Sequence, residues 1–146
     1  VHEQADFSFG CQARHEHQRD VLDLLLLPVV LPSGLVGDEA GRALEDLGDD
    51  AEVTHCNVTT SNTRISIGWN SLIAGNGVAD NRYTAVSNPG DNTVIRGNVL
   101  ARSGGAGIST ISNGLVIEAN TFSEHTFGGI LAGSAAIKGN VIRANG

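Results

Sequence analysis

Three charged residues stand at a fixed interval in this chain: Asp80, Arg102 and Glu124 (102−80 = 22, 124−102 = 22). Each is followed by another polar residue, Asn81, Ser103 and His125, and Arg82 and Tyr83 adjoin the first set. If the chain stacks these positions, two carboxylates, a guanidinium, an imidazole and a phenol share one strip. Paired carboxylates can hydrolyse a glycosidic bond, one as acid and the other as base or nucleophile. Two stacked layers would put the backbones of Asp80 and Glu124 about 9–10 Å apart. That is the upper edge of the ~6.5–9.5 Å carboxyl separation of an inverting glycosidase. Arg102 between them would hold both carboxylates ionised, whereas a general acid needs a raised pKa.

A lyase or epimerase fits this set better. Such a reaction removes a proton beside a sugar carboxylate. It needs a base, His125 or Tyr83, and a cation on the substrate acid, Arg102 or Arg82. The candidate catalytic residues are therefore His125, Arg102 and Tyr83, with Asp80, Arg82, Glu124 and Trp69 as candidate substrate contacts. Trp69 and Tyr83 are the residues for stacking on sugar, among only six aromatics (Phe 4, Trp 1, Tyr 1). Phe122 and Phe127 read as core. The competing reading of the charged strip is structural: surface charges pairing along a stack.

The element that positions these residues is a repeat. Residues 72–78, 94–100, 116–122 and 136–142 share one line: apolar, Ile, any residue, Gly or Ala, Asn, any residue, apolar. Its asparagines are Asn76, Asn98, Asn120 and Asn140, spaced 22, 22 and 20. Ten residues after the first three come Val86, Ile108 and Ile130. A fainter copy over residues 53–59 puts Asn57 in the asparagine slot, 19 residues before Asn76, with Thr54 in the Ile slot and Ile67 ten residues on. A period of this size marks units that bury their apolar faces only by stacking. The runs of β-branched residues broken by Gly, Asn and Ser read as strands between turns rather than helices. No leucine ladder runs through them. The remaining solution is an all-β parallel β-helix of about five coils, each stacked at ~4.8 Å. Asn tolerates left-handed turns, and its amide donates and accepts, so the stacked asparagines form an internal ladder.

The segments VIRGNVLARSGGAGI and LVIEANTFSEHTFGGI resemble the right-handed parallel β-helix superfamily. That group includes pectate-lyase-like polysaccharide enzymes, alginate epimerases and periplasmic accessory proteins. The resemblance covers about residues 53–146 and implies a polysaccharide partner and a secreted or periplasmic location. It implies no cofactor. The Asp-Pro-His motif of alginate epimerases is absent, as is any calcium-binding Asp cluster.

Composition divides the chain near residue 52. Residues 1–52 carry three basic and twelve acidic residues (3−12 = −9), and residues 53–146 six and four (6−4 = +2). The expected organisation is an acidic cap or flanking segment over 1–52 and a repeat domain over 53–146. Short helices are predicted over 15–27 and 38–47, and residues 20–47 as the cover of the first coil. The apolar stretch 24–31 is too short to span a bilayer, and Asp20 and Asp23 precede it where a signal peptide carries positive charge. It is expected to lie on an outward stripe of Leu72, Val94 and Val116. The net charge of −7 argues against nucleic acid. His15-Glu16-His17 with His2 and Glu3 matches no zinc motif, so no metal site is assigned. Cys11 and Cys56 form one disulfide or remain two thiols. Asn57-Val58-Thr59 is a glycosylation sequon, unused if Asn57 points inward. The pattern stops within a coil and no Met is present. A fragment, a processed chain, or an end-to-end or homo-oligomer contact covering the last coil is expected.

Overall fold

The computed structural model describes residues 47–59 and 65–146, and the backbone of three short strands before them. These three are β1 (Gln12–His15), β2 (Val29–Val30) and β3 (Gly34–Val36). The repeat follows coil by coil. The first coil holds β4 (Ala51–Thr54) and β5 (Asn57–Thr59), and the second β6 (Leu72–Ala74), β7 (Gly77–Ala79) and β8 (Val86–Ser87). The third holds β9 (Val94–Arg96), β10 (Val99–Ala101) and β11 (Ala106–Thr110). The fourth holds β12 (Leu115–Glu118), β13 (Thr121–Ser123) and β14 (Gly128–Ala132), and a fifth adds β15 (Ala135–Lys138) and β16 (Val141–Arg143). Each strand pairs in parallel with its counterpart one coil away, building three sheets. The result is an all-β parallel solenoid of about four turns.

Strands of two to five residues alternate inward and outward, so the coils send apolar side chains from each sheet to the axis. The first sheet contributes Val53, Ile73, Ile95 and Ile117, all 0% exposed. The second contributes Val58, Val78, Leu100 and Phe122, and the third Ile65, Val86 and Ile108. Stacking is the whole source of this burial. Ile137 and Ile142 continue the first two columns on the last coil, and they are 51% and 52% exposed.

The ladder runs through Asn76, Asn98, Asn120 and Asn140. From Asn98 onward each Oδ1 accepts two bonds from the rung below. Asn98 Oδ1 takes the Asn76 N–H and the Asn76 Nδ2–H, both at 2.9 Å. Asn120 Oδ1 does the same for Asn98, and Asn140 Oδ1 for Asn120. The other Nδ2 hydrogen reaches a carbonyl of the coil below, at Val53, Ile73, Ile95 and Ile117 in turn. Between Asn76 and Asn120 the rungs are 1–2% exposed, and their amides have no water to fall back on.

The first coil corrects the sequence register by one residue. Asn57 pairs with Gly77 and is exposed, and the slot below Asn76 belongs to Cys56. The Cys56 N–H donates to Asn76 Oδ1 at 2.8 Å. Val53, not Thr54, lies against Ile73, and Ile65, not Ile67, bridges to Val86. A slip of one residue exchanges the two faces of a strand. Asn57 therefore lies outside the ladder, and the sequon asparagine faces solvent. Nor do the rung asparagines take the left-handed turn. That conformation belongs to the residue before each of them: His55 (φ 57°), Gly75 (69°), Gly97 (65°), Ala119 (56°) and Gly139 (62°). The turn, rather than the amide, explains the Gly or Ala of the repeat line.

At the first coil's edge, β1 pairs antiparallel with β4 and β3 pairs parallel with β5. Both sheet edges are thus occupied, partly by residues 12–15, outside the expected 20–47. His15 belongs to β1 rather than to a helix. The rest of the predicted helix over 15–27 and most of that over 38–47 lie outside the described residues, as does Cys11. Leu72, Val94 and Val116 are half-buried on the outward face, and an open groove of about 370 Å³ runs past Leu72 and Val94 to Arg96. Of the segment 24–31 only β2 is described, and it pairs with β1 at the sheet edge.

The two asparagines test the register. Asn98→Ala orphans the Asn76 donors and the Ile73 carbonyl and should cost at least about 3 kcal/mol in urea unfolding. Asn57→Ala, on the solvent side, should stay within about 0.5 kcal/mol. Equal costs would refute the register described above.

Candidate functional site

The corner after the second strand of each coil carries the charged strip. Asp80, Arg102, Glu124 and Ala144 stack there, all in the left-handed region (φ 57°, 51°, 59° and 52°). This corner turns the chain from the second sheet toward the third. No glycine occupies it, although a left-handed turn favours one. A side chain is thus carried outward from the second coil to the fifth.

Asp80 and Arg102 form a two-pronged pair. Arg102 Nε donates to Asp80 Oδ1 at 2.6 Å and an Nη donates to Oδ2 at 3.0 Å. That hydrogen bond is the main reason the Asp80 carboxyl titrates below its usual range and the Arg102 guanidinium above its own. Glu124 acts on Arg102 only through its field. Both partners are about half exposed, so solvent screens the pair and its worth is small. On the neighbouring column, Arg96, Glu118 and Lys138 stand in register, and Lys138 Nζ lies 3.4 Å from Glu118.

His125 lies on the opposite side of the backbone. It is 2% exposed, and both ring nitrogens are bonded. Nδ1 accepts the Ser103 N–H at 3.2 Å, and Nε2 lies 2.8 Å from the Leu100 carbonyl, to which it donates as the Nε2–H tautomer. Asn145, one coil on, does the same. Its Oδ1 accepts the His125 N–H and its Nδ2 donates to the Phe122 carbonyl. Asn81, Ser103, His125 and Asn145 are thus a second inner ladder, five residues after the main one. His125 is its imidazole rung, with the Phe122 ring edge-on at 6.4 Å. Ser103 is too short to act as a rung. Its Oγ and both amide atoms of Asn81 are buried with no hydrogen-bond partner.

The strip thus separates into two layers. Asp80, Arg102 and Glu124 face solvent with Arg82 and Tyr83, and His125 is sealed beneath them. The Arg82 guanidinium lies 5.5 Å from the Tyr83 ring centroid, a cation–π contact. Trp69, 60% exposed, is carried by a different corner, its backbone N–H donating to Asp49 Oδ1. The structure does not bring it to the strip. Phe122 is core, at 0% exposure, but Phe127 is 68% exposed and stands beside the strip. Sequence reading assigned it to the interior. A spacing signal was present: Tyr83 and Phe127 each follow a rung asparagine by seven residues (76+7, 120+7). Among the described residues no group of three or more His, Cys, Asp or Glu could hold a metal ion.

Searches of family models, curated proteins and solved structures find no match to this chain. The class of protein rests on the coordinates: a parallel β-solenoid with an asparagine ladder.

Burial lowers the His125 pKa from its ordinary 6.5, opposed by the bond to Leu100. A group depressed in the native state binds its proton more readily unfolded, so stability falls as pH drops below about 6.5. Protonating Nδ1 would also set two donors against each other at Ser103. Urea midpoints measured from pH 8 to 5 should show this loss. His125→Asn, which can make both rung bonds without titrating, should flatten it. Ser103→Ala removes a hydroxyl that bonds nothing, so its unfolding midpoint should equal or exceed the native one.

Proposed function

We propose that this chain is a non-catalytic solenoid module that binds an extended extracellular polysaccharide along its charged corner. The observation that carries this reading is the division of the strip. The groups able to contact a polymer, Asp80, Arg82, Tyr83, Arg102 and Glu124, are exposed in a row with a repeat of about 5 Å per coil. The imidazole that a proton abstraction would use is enclosed, with Nδ1 already accepting the Ser103 N–H. Arg102 is likewise engaged by Asp80, which leaves Arg82 as the strip's cation for a sugar acid. The resemblance of the repeat to polysaccharide-acting β-helices supports the substrate class and a secreted or periplasmic setting.

Two assays separate binding from processing. Incubation with polyuronates should give no new ultraviolet absorbance from unsaturated sugar. Affinity electrophoresis through the same polymers should retard the protein, less so at high salt and for Arg82→Ala. Formation of unsaturated product, lost in Tyr83→Phe, would replace the binding module with a lyase.

A further inference from the structure

One turn segment lies directly after the charged strip. Its layers are fixed by backbone bonds: Gly104 N–H to Asn81 C=O at 2.8 Å, Thr126 N–H to Ser103 C=O at 3.1 Å, and Phe127 N–H to Gly105 C=O at 3.2 Å. Arg82 and Tyr83 are therefore overlaid by Gly104 and Gly105, and these by Thr126 and Phe127. The middle layer can carry no side chain. A Cβ on Gly104 would collide with the Arg82 carbonyl, and one on Gly105 with the Thr84 hydroxyl and lie 2.7 Å from its backbone N. Two exposed aromatics, Tyr83 at 43% and Phe127 at 68%, thus stand two layers apart across a trough floored by glycine backbone.

The spacing sets what such a trough accepts. Two layers separate the backbones of Tyr83 and Phe127 by about 10 Å, so a flat group at the middle layer has room to lie about 5 Å from each ring. That is within the ~4.5–7 Å range of ring stacking. A pyranose has apolar C–H faces for both rings and hydroxyls for the glycine peptide groups. At one wall the Arg82 guanidinium, held over the Tyr83 ring, offers a charge-assisted fork to an anion.

We propose that Tyr83, Gly105 and Phe127 form a stacking slot for one pyranose ring, whose carboxylate or sulfate Arg82 holds. This inference rests on the polysaccharide reading above and specifies its subsite. Phe127 becomes a ligand contact, and the two glycines become specificity elements because they keep the slot open.

The experiment measures affinity of the full chain, by electrophoresis and titration calorimetry, for polygalacturonate, dextran sulfate and neutral dextran. Native protein, Tyr83→Ala, Phe127→Ala and Arg82→Gln are compared, with thermal midpoints to show that each folds. The slot predicts binding to at least one anionic polymer and a loss of about tenfold for either aromatic variant, the equivalent of ~1.4 kcal/mol. The Phe127→Ala midpoint should be unchanged, because that ring is 68% exposed. Arg82→Gln should abolish the preference for anionic over neutral polymer. The relative affinities for polygalacturonate and dextran sulfate identify the anion. Native binding that survives Phe127→Ala undiminished would overturn the slot while leaving the polysaccharide reading intact. Equal binding to neutral dextran would remove the anion requirement. Failure of all three polymers to bind native protein would overturn both the slot and the reading it rests on.

Discussion

The solenoid depends on one hydrogen-bonding unit, the carboxamide of a buried asparagine. A primary amide has two donors and an acceptor oxygen with two lone pairs. At Asn98 all four are used: two bonds accepted from Asn76, one donated to Asn120 and one to Ile73. A corner inside a stack of this kind needs that arrangement. The backbone turns there, and the interrupted ladder leaves an N–H and a C=O pointing inward where water does not reach. The amide collects both. The apolar columns supply most of the burial, but leucine in this slot would strand those groups at every coil.

The second ladder shows how far the requirement can be relaxed. What the corner asks for is an acceptor and a donor at fixed separation, and imidazole in its neutral Nε2–H form meets that as Asn145 does. Serine at Ser103 does not reach, and the neighbouring Asn81 amide goes unbonded. Its solvent side bears the charges. A corner that holds a non-glycine residue in the left-handed region from the second coil to the fifth accepts a little backbone strain to carry Asp80, Arg102 and Glu124 outward in register.

Much of this architecture was written in the repeat line, and what was missed has physical causes. Asn76, Asn98, Asn120 and Asn140 declare themselves because one residue type fills one geometric role at a constant interval. Cys56 fills the same slot with unlike chemistry, its N–H donating to Asn76 Oδ1 and its sulfur held in a disulfide, so Asn57 beside it shifts the apparent register by one. The second ladder escaped notice because amide, hydroxyl and imidazole side chains share it. His125, a titratable residue beside charges, reads as a base until its burial is seen. Phe127 reads as core by residue type, yet its offset from Asn120 equals that of Tyr83 from Asn76. The outward placement of the Asp80 column was implicit in that same spacing.

The ladder also has a direction. Each oxygen accepts hydrogen bonds from the coil below, so the coil above does the satisfying, up to Asn140. Ile137 and Ile142 flank it on the same coil, half in water. Detachment of that rim would deprive Asn120 of its acceptor, then Asn98, as a zip opens from one end. Each rung's shelter from amide exchange therefore depends on the coil above it.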